Sequence, residues 1–368
     1  MNIGLCGFGV VGRGVYEIVR QRPDMKVKKI LCLEDIQLPD AQTVKDFSEI
    51  LNDPEIDTVV EAMGGLHPSY DFARAALEAG KNVVSSNKAM VCTFYDELIP
   101  LAMHKGVSLR CTAAVGGGIG WLSELERARR VQTINQVGGI MNGTCNYILD
   151  NMTRLGLGYD EALKQAQKLG YAEANPATDV DGIDTWHKVI LSANVAFGIS
   201  LDKTTVPVSG IRNISAADVD CFKTHGKVCK LISTAKRTED GFSAYVQPTL
   251  VDAGSPEGAV PLNYNLITFI GQTSERMSFY GQGAGRYPTA YNVVQDLVDV
   301  TQGKSFYAPY GAPQAADNQE AHRYYVRGNW EDGIQEDWST GVVTTPVPVS
   351  QMHQWVKDNP NAFIAAVD

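Results

Sequence analysis

The feature that most constrains this chain is its opening. An apolar run, Ile3–Cys6, passes directly into Gly7-Phe8-Gly9-Val10-Val11-Gly12, and the apolar pattern beyond it, at Val15–Arg20, is helical. In a strand–turn–helix of this kind Gly7 permits the tight turn and Gly9 lets the backbone approach a pyrophosphate. Gly12 lets the helix lie against the strand, and the helix N-terminus faces the anion. The spacing alone is a weak signal, because a glycine turn can also bind nothing; its context gives it weight. Further strands are predicted at Val27–Leu33, Asp57–Ala62, Asn82–Ser85 and Val107–Thr112. Helical patterns lie between them at Val44–Leu51, Tyr70–Ala79 and Asp96–His104. This alternation predicts a parallel, doubly wound α/β sheet of the Rossmann type.

The pattern changes after the glycine-rich stretch Val115–Gly120. Longer helices (Tyr159–Leu169, Asp184–Phe197) mix with strands such as Phe242–Leu250, which points to a second domain of α+β type. We therefore expect a dinucleotide-binding domain at 1–130 and a substrate, catalytic and dimerisation domain at 131–285. A helical return segment, 286–320, is expected to pack on the nucleotide domain. A short extension, 321–368, begins with a strand at Tyr324–Arg327 and looks like an incomplete regulatory domain.

Composition excludes several partners. The net charge of −10 argues against nucleic acid and anionic membrane, which need a basic surface. Seven scattered cysteines without a CxxC pair do not read as a disulfide framework, and the six histidines lack metal-ligand spacing. No apolar stretch is long enough to span a bilayer, and the start has no signal-peptide pattern, so a cytoplasmic address is expected.

Three further motifs carry groups suited to chemistry. Ser85-Ser86-Asn87-Lys88-Ala89 follows a strand at the sheet edge where ligands bind, although Lys88 can equally be a solvated loop lysine. Gly143 and Thr144 sit in a turn whose N–H groups and hydroxyl could hold a carboxylate; a plain helix start is the alternative. Between Gly170 and Lys188 four acids, Glu173, Asp179, Asp181 and Asp184, precede a lysine. Asp184 and Lys188 are four apart and share a helix face. A carboxylate can hold a lysine in place as a proton donor, and neighbouring acids suit an ammonium-bearing substrate. On spacing alone, a surface ion pair beside an acidic loop is the favoured reading.

Together these segments resemble the homoserine dehydrogenase family. The matching stretches, in order, are GFGVVGRG, KNVVSSNKAMV, AAVGGGIG, GIMNGTCNYIL, AQKLGYAEANPATDVDGIDTWHK and GQGAGRYPTAYNVVQDL. The resemblance implies NAD(P)-dependent interconversion of L-homoserine and L-aspartate 4-semialdehyde, a step toward threonine, methionine and isoleucine. It implies Lys188 as proton donor to the aldehyde oxygen, Asp184 orienting it, and Lys88 near cofactor and substrate. Glu173, Asp179, Gly143 and Thr144 would contact the substrate, and residues 7–12 with Glu34 and Lys88 the cofactor. The family is usually a homodimer built through a sheet of the second domain.

The chain departs from the family pattern at four places. Asn175 precedes Pro176 where Asp is usual, and His187 precedes Lys188 where Arg is usual. Thr112 replaces a glutamate that helps bind a monovalent cation, so only the backbone carbonyls of Val115, Gly117 and Ile119 are left as ligands for Na⁺ or K⁺. The usual bacterial regulatory domain is not intact. A related dehydrogenase of another amino-acid semialdehyde or hydroxy acid, or a non-catalytic cofactor sensor, remains open on the residues alone. Finally, Glu34 lies about twenty residues beyond the glycine motif, where an acid accepts from the adenosine ribose 2′-OH. No Arg or Lys occurs in 36–44, so NAD is expected to be preferred over NADP.

Overall fold

In the computed structural model, which describes residues 1–304 and 312–367, the chain divides into two units. One is Met1–Arg127 with the segment beginning at Gln282; the other is Ala128–Gly281 with the C-terminal segment. The first unit is built on strands β1 (Asn2–Cys6), β2 (Lys26–Leu31), β3 (Gln42–Val44), β4 (Thr58–Glu61), β5 (Asn82–Ser85) and β6 (Leu109–Arg110). Their order is β3-β2-β1-β4-β5-β6, all parallel. The strand order reverses at β1 and β4, so the ligand crevice of such a sheet lies beyond their C-terminal ends. Helix α1 (Val10–Val19) follows β1 through the glycine turn. The helix Arg286–Thr301 packs on α1: Val15, Tyr16 and Val19 share a core with Ala290, Val293, Val294 and Leu297. A Cβ at Gly14 would stand 2.9 Å from the Arg286 carbonyl oxygen and from Ala290 Cβ, which is why the approach needs glycine.

Two expected elements are shorter in the structure. The apolar stretch Val44–Leu51 is not one helix: Val44 pairs with Leu31 in β3, and a single turn, α2 (Ser48–Leu51), starts where Asp46 Oδ1 accepts from Ser48 N. The strand expected at Val107–Thr112 keeps only β6. Thr112 donates its N–H and its hydroxyl to Asp296, at 2.7 Å each, and this draws the chain off the ladder into a 3₁₀ turn, Thr112–Ala114. The other helices of this unit are α3 (Ser69–Glu78), α4 (Lys88–Thr93), α5 (Tyr95–Lys105) and α6 (Trp121–Ala128), which runs to the unit boundary.

The second unit is a mixed sheet covered by helices. Its elements are β7 (Ile134–Ile140), α7 (Gly143–Leu155), α8 (Tyr159–Lys168), α9 (Ala177–Val180), α10 (Ile183–Phe197), β8 (Ser200–Leu201) and α11 (Ala216–Thr224). They continue as β9 (Lys227–Arg237), β10 (Phe242–Asp252), β11 (Tyr264–Gly271), β12 (Glu275–Gln282) and β13 (Pro313–Gln314). The last strands are β14 (Ala321–Arg327), β15 (Ile334–Trp338), β16 (Gly341–Thr344), β17 (Val347–Pro348) and β18 (Phe363–Val367). Sheet order is β12-β11-β7-β9-β10-β18-β14-β16-β15, with β17 beside β14. The long β9–β10 hairpin runs in unbroken register from Arg237–Phe242 to Lys227–Asp252. Strand β10 is buried on both faces except at its last residue, as a central strand must be.

The C-terminal extension differs from expectation. It does not stand apart as a partial domain: β18 pairs parallel to β10 and antiparallel to β14, so 321–367 continue the main sheet. Residues 312–320, expected with the return segment, belong to this second unit. Pro313–Gln314 pair with β8, and Asn318 Oδ1 accepts from Ala244 N at 2.8 Å. Residues 305–311 of that expected segment lie outside the described residues. Among the described residues no helix is long and apolar enough to cross a membrane.

Candidate active site

The cradle at the end of β1 has the backbone its spacing called for. Gly7 has φ +96°, and a Cβ there would stand 2.7 Å from the Ala62 carbonyl oxygen. A Cβ on Gly12 would come within 2.1 Å of the Gly7 oxygen. Gly9 caps α1, and a Cβ there would meet nothing within 4 Å, so its face is open for a ligand. Phe8 is buried, whereas Val10, at the first turn of α1, is 65% exposed. The free N–H groups of α1 and this open apolar rim suit a pyrophosphate and its flanking rings.

Glu34 lies past β2 with its side chain exposed, and it is paired. Arg13 NH2 stands 2.9 Å from Glu34 Oε2, with its guanidinium over the Phe8 ring at 4.7 Å. Lys45 Nζ stands 2.8 Å from Asp35 Oδ1 and donates to the Leu33 carbonyl at 2.6 Å. These two cations went unnoticed in the sequence. Arg13 precedes β2 by half a β-α unit, and Lys45 directly follows the Arg- and Lys-free stretch 36–44.

Lys88 is the first residue of α4, capped by Asn87, whose Oδ1 accepts from Met90 N. This corner is tied to a buried carboxyl. Glu61, at the end of β4, accepts from Ser85 Oγ (2.5 Å) and Met63 N (2.9 Å), and Ser85 Oγ also accepts from Asn87 N. Burial pushes the Glu61 carboxyl up, opposed by those hydrogen bonds.

In the second unit Asp184 and Lys188, on the first turns of α10, form a buried pair. They are 6% and 7% exposed, and Nζ lies 2.7 Å from Asp184 Oδ2. The ammonium also donates to the Met141 carbonyl, at the end of β7, at 2.6 Å. The solvated surface bridge that the spacing alone favoured is therefore overturned. Asn142 Nδ2 donates to Asp179 Oδ1 (2.7 Å) and Asp184 Oδ2 (2.8 Å), so α9, α10 and the start of α7 converge on one polar cluster. Burial raises the Asp179 carboxyl, and the Asp184 charge adds to the effect. The buried Cys145 thiol is raised far above its ordinary value by burial.

Other expected residues are placed differently. Thr144 is not the helix cap; Asn142 is, accepting from Cys145 N at 2.8 Å, and the Thr144 hydroxyl donates to the Tyr171 carbonyl at 2.6 Å. Gly143 is pressed against the Asn263 backbone, where a Cβ would stand 2.6 Å from the carbonyl oxygen. Glu173 is exposed between α8 and α9. Among the described residues no hydrogen bond or ion pair joins its carboxylate to Asp184 or Lys188.

Two of the three carbonyls expected to hold a monovalent cation, those of Gly117 and Ile119, already have donors of their own. Asn292 Nδ2, 2% exposed, donates to the Gly117 oxygen at 2.5 Å, and Trp121 N donates to that of Ile119 at 2.7 Å. The nearby carboxylate, Asp296, is held by Arg110 and Thr112, and full burial raises its carboxyl. An amide N–H thus stands on one of the three oxygens and a backbone N–H on another, and each of these two carbonyls keeps a second lone pair.

Comparison with known proteins agrees with this layout. Residues 121–298 match the family described as homoserine dehydrogenase, and residues 7–112 its NAD binding domain. The homoserine dehydrogenase of Bacillus subtilis is 34% identical over 330 residues, covering 84% of this chain and 76% of that protein. That of Corynebacterium glutamicum is 34% identical over 361 residues, covering 91% and 81%. Among solved structures, a homoserine dehydrogenase from Thiobacillus denitrificans superposes with a TM-score of 0.87 at 27% identity, over 100% of this chain and 98% of that one. A homoserine dehydrogenase from S. aureus does so with a TM-score of 0.78 at 27% identity, over 100% and 99%.

Proposed function

The chain belongs to the homoserine dehydrogenase family, and from that premise we propose how its residues divide the work. It is an NAD(P)-dependent oxidoreductase that interconverts L-homoserine and L-aspartate 4-semialdehyde. The observation that carries the assignment of roles is the buried Lys188, held by Asp184 and the Met141 carbonyl. An ammonium has three N–H bonds, and two have protein acceptors. The third is left for the substrate oxygen, which it protonates as the aldehyde is reduced; in the reverse direction the neutral amine takes the proton from the alcohol as it is oxidised. The nicotinamide, when bound, supplies or accepts the hydride.

In this reading Asp184 fixes Lys188, and the Asp179 carboxylate with Glu173 offers charge to the substrate ammonium. Gly143, pressed on a neighbouring backbone, and Thr144, through the Tyr171 carbonyl, shape the turn around it. Residues 7–12 seat the pyrophosphate, and Lys88, held by the Glu61–Ser85–Asn87 chain, serves the cofactor side and the substrate carboxylate. The test is aspartate-semialdehyde-dependent oxidation of NADH and NADPH, followed by absorbance. Failure of the semialdehyde to react while another amino-acid semialdehyde or keto acid does would move the substrate elsewhere.

Glu34 supports a preference for NAD(H), because a carboxylate welcomes a 2′-hydroxyl and repels a 2′-phosphate. Arg13 and Lys45 soften that preference, since each offers a charge a phosphate could use. The amide of Asn292 on Gly117 supports turnover that does not depend on Na⁺ or K⁺. A homodimer is supported by the sheet edge of the second unit, where Ile270, Met277 and Tyr280 on β11 and β12 are exposed; sedimentation tests it. Seven free thiols support a reducing, cytoplasmic setting.

A further inference from the structure

Asn142 lies within the GIMNGTCNYIL stretch, which assigns it no role, yet three interactions meet on its side chain. Its oxygen accepts from Cys145 N and caps α7. Its two amide hydrogens go to different carboxylates, Asp179 on α9 and Asp184 on α10. Asn142 is 4% exposed and Asp184 6%, so water does little to separate these charges. A primary amide carries two N–H bonds fixed in one plane, and so sets the separation of two acceptors; a hydroxyl has one hydrogen and cannot.

We propose that Asn142 is a positioning residue for the reaction. It holds the Asp179 and Asp184 carboxylates at a fixed separation, fixes Lys188 through Asp184, and keeps Asp179 presented to the substrate ammonium. This rests on the reading of Lys188 and Asp184 given above. Among the described residues, the groups facing the two carboxylates include Lys188 on α10, the Cys145 thiol on α7 and the Thr144 hydroxyl; Asp181, held by Arg212, acts on the Cys145 thiol. The hydrogen bond from Asn142 lowers the Asp179 carboxyl against the combined upward push of burial and Asp184. Its loss makes Asp179 easier to protonate.

Asn142→Ser and Asn142→Asp separate this role from helix capping. Serine and aspartate cap as well as asparagine does, but serine loses both amide hydrogens and aspartate sets a third carboxylate against two others. Asn142→Ser is expected to melt within a few degrees of the parent; Asn142→Asp, which buries a third carboxylate, and Asn142→Ala, which loses cap and clamp together, melt lower. In Asn142→Ser, kcat/KM for homoserine falls about 10–100-fold while KM for the cofactor is unchanged. In Asn142→Asp the acid limb of the kcat/KM profile moves up by about one pH unit or more. Serine and aspartate variants that keep kcat/KM within about threefold and an unmoved profile overturn the proposal, as does activity lost only in step with melting temperature. Lys188→Met is measured beside them. If it stays active, the reading of the site has failed; if it is dead while the Asn142 variants are normal, only the clamp has failed.

Discussion

The two units solve recognition in opposite ways. In the first, the groups that would meet a ligand are mostly backbone: the glycine turn, the open face of Gly9 and the N-terminus of α1. Its charged groups are exposed pairs, with Arg13 40% and Glu34 71% accessible, which water screens and which can exchange partners at little cost. In the second, the groups are side chains in a nearly dry cluster, where Asp184, Lys188 and Asn142 are each less than a tenth exposed. There each partner matters, because a buried charge that loses its counterpart is strongly destabilised. A binding site built from backbone tolerates side-chain change and is sensitive to shape, whereas a catalytic site built from buried side chains is the reverse.

The largest effect should come from the side-chain site. Lys188→Met is expected to lower kcat by about 10²–10⁴-fold, as removal of a general acid does; single-turnover absorbance checks it, and a loss below tenfold in a folded variant breaks the contrast. Next is shape. Gly12→Ala forces a methyl against the Gly7 oxygen 2.1 Å away. It should raise KM for the cofactor by roughly tenfold, about 1.4 kcal/mol, while KM for homoserine holds. Equal rises in both constants would show that the turn is not specific to the cofactor.

Smaller effects follow at the exposed pairs. Glu34→Gln should shift the NAD/NADP ratio of kcat/KM toward NADP by about three- to tenfold, and Arg13→Ala should shift it the other way. An unchanged ratio in the Glu34 variant removes it from the ribose. The smallest response is to salt: replacing Na⁺ by K⁺ or by a bulky organic cation at constant ionic strength should change activity less than about twofold, a screening-level effect. A rise specific to one ion would mean that Asn292 does not occupy the carbonyl site.

The same contrast explains what could be read in advance. The glycine turn was legible because backbone constraints leave a spacing: φ +96° at Gly7 demands a residue without Cβ. The Asp184–Lys188 pair was legible as one helix face, although its burial was not, since spacing does not say which face a helix hides. Asn142 was missed because its partners lie 37 and 42 residues away. The Met141 carbonyl carries no residue identity at all. Arg13 and Asn292 act on groups that come near only after the sheet has formed. The extension is placed differently from expectation for a related reason: β14 read as a strand, but it reaches the main sheet only through β18, whose other partner, β10, is more than a hundred residues earlier, and nothing local announces that pairing.

The most direct test of the division between the two units is to titrate NADH, by fluorescence, into Lys188→Met and Gly12→Ala side by side and to measure turnover of both. The account predicts that Lys188→Met binds NADH as the parent does and does not turn over, while Gly12→Ala binds it roughly tenfold more weakly yet turns over once saturated. If Lys188→Met loses NADH binding as Gly12→Ala does, or keeps its turnover, the two functions are not separated as described.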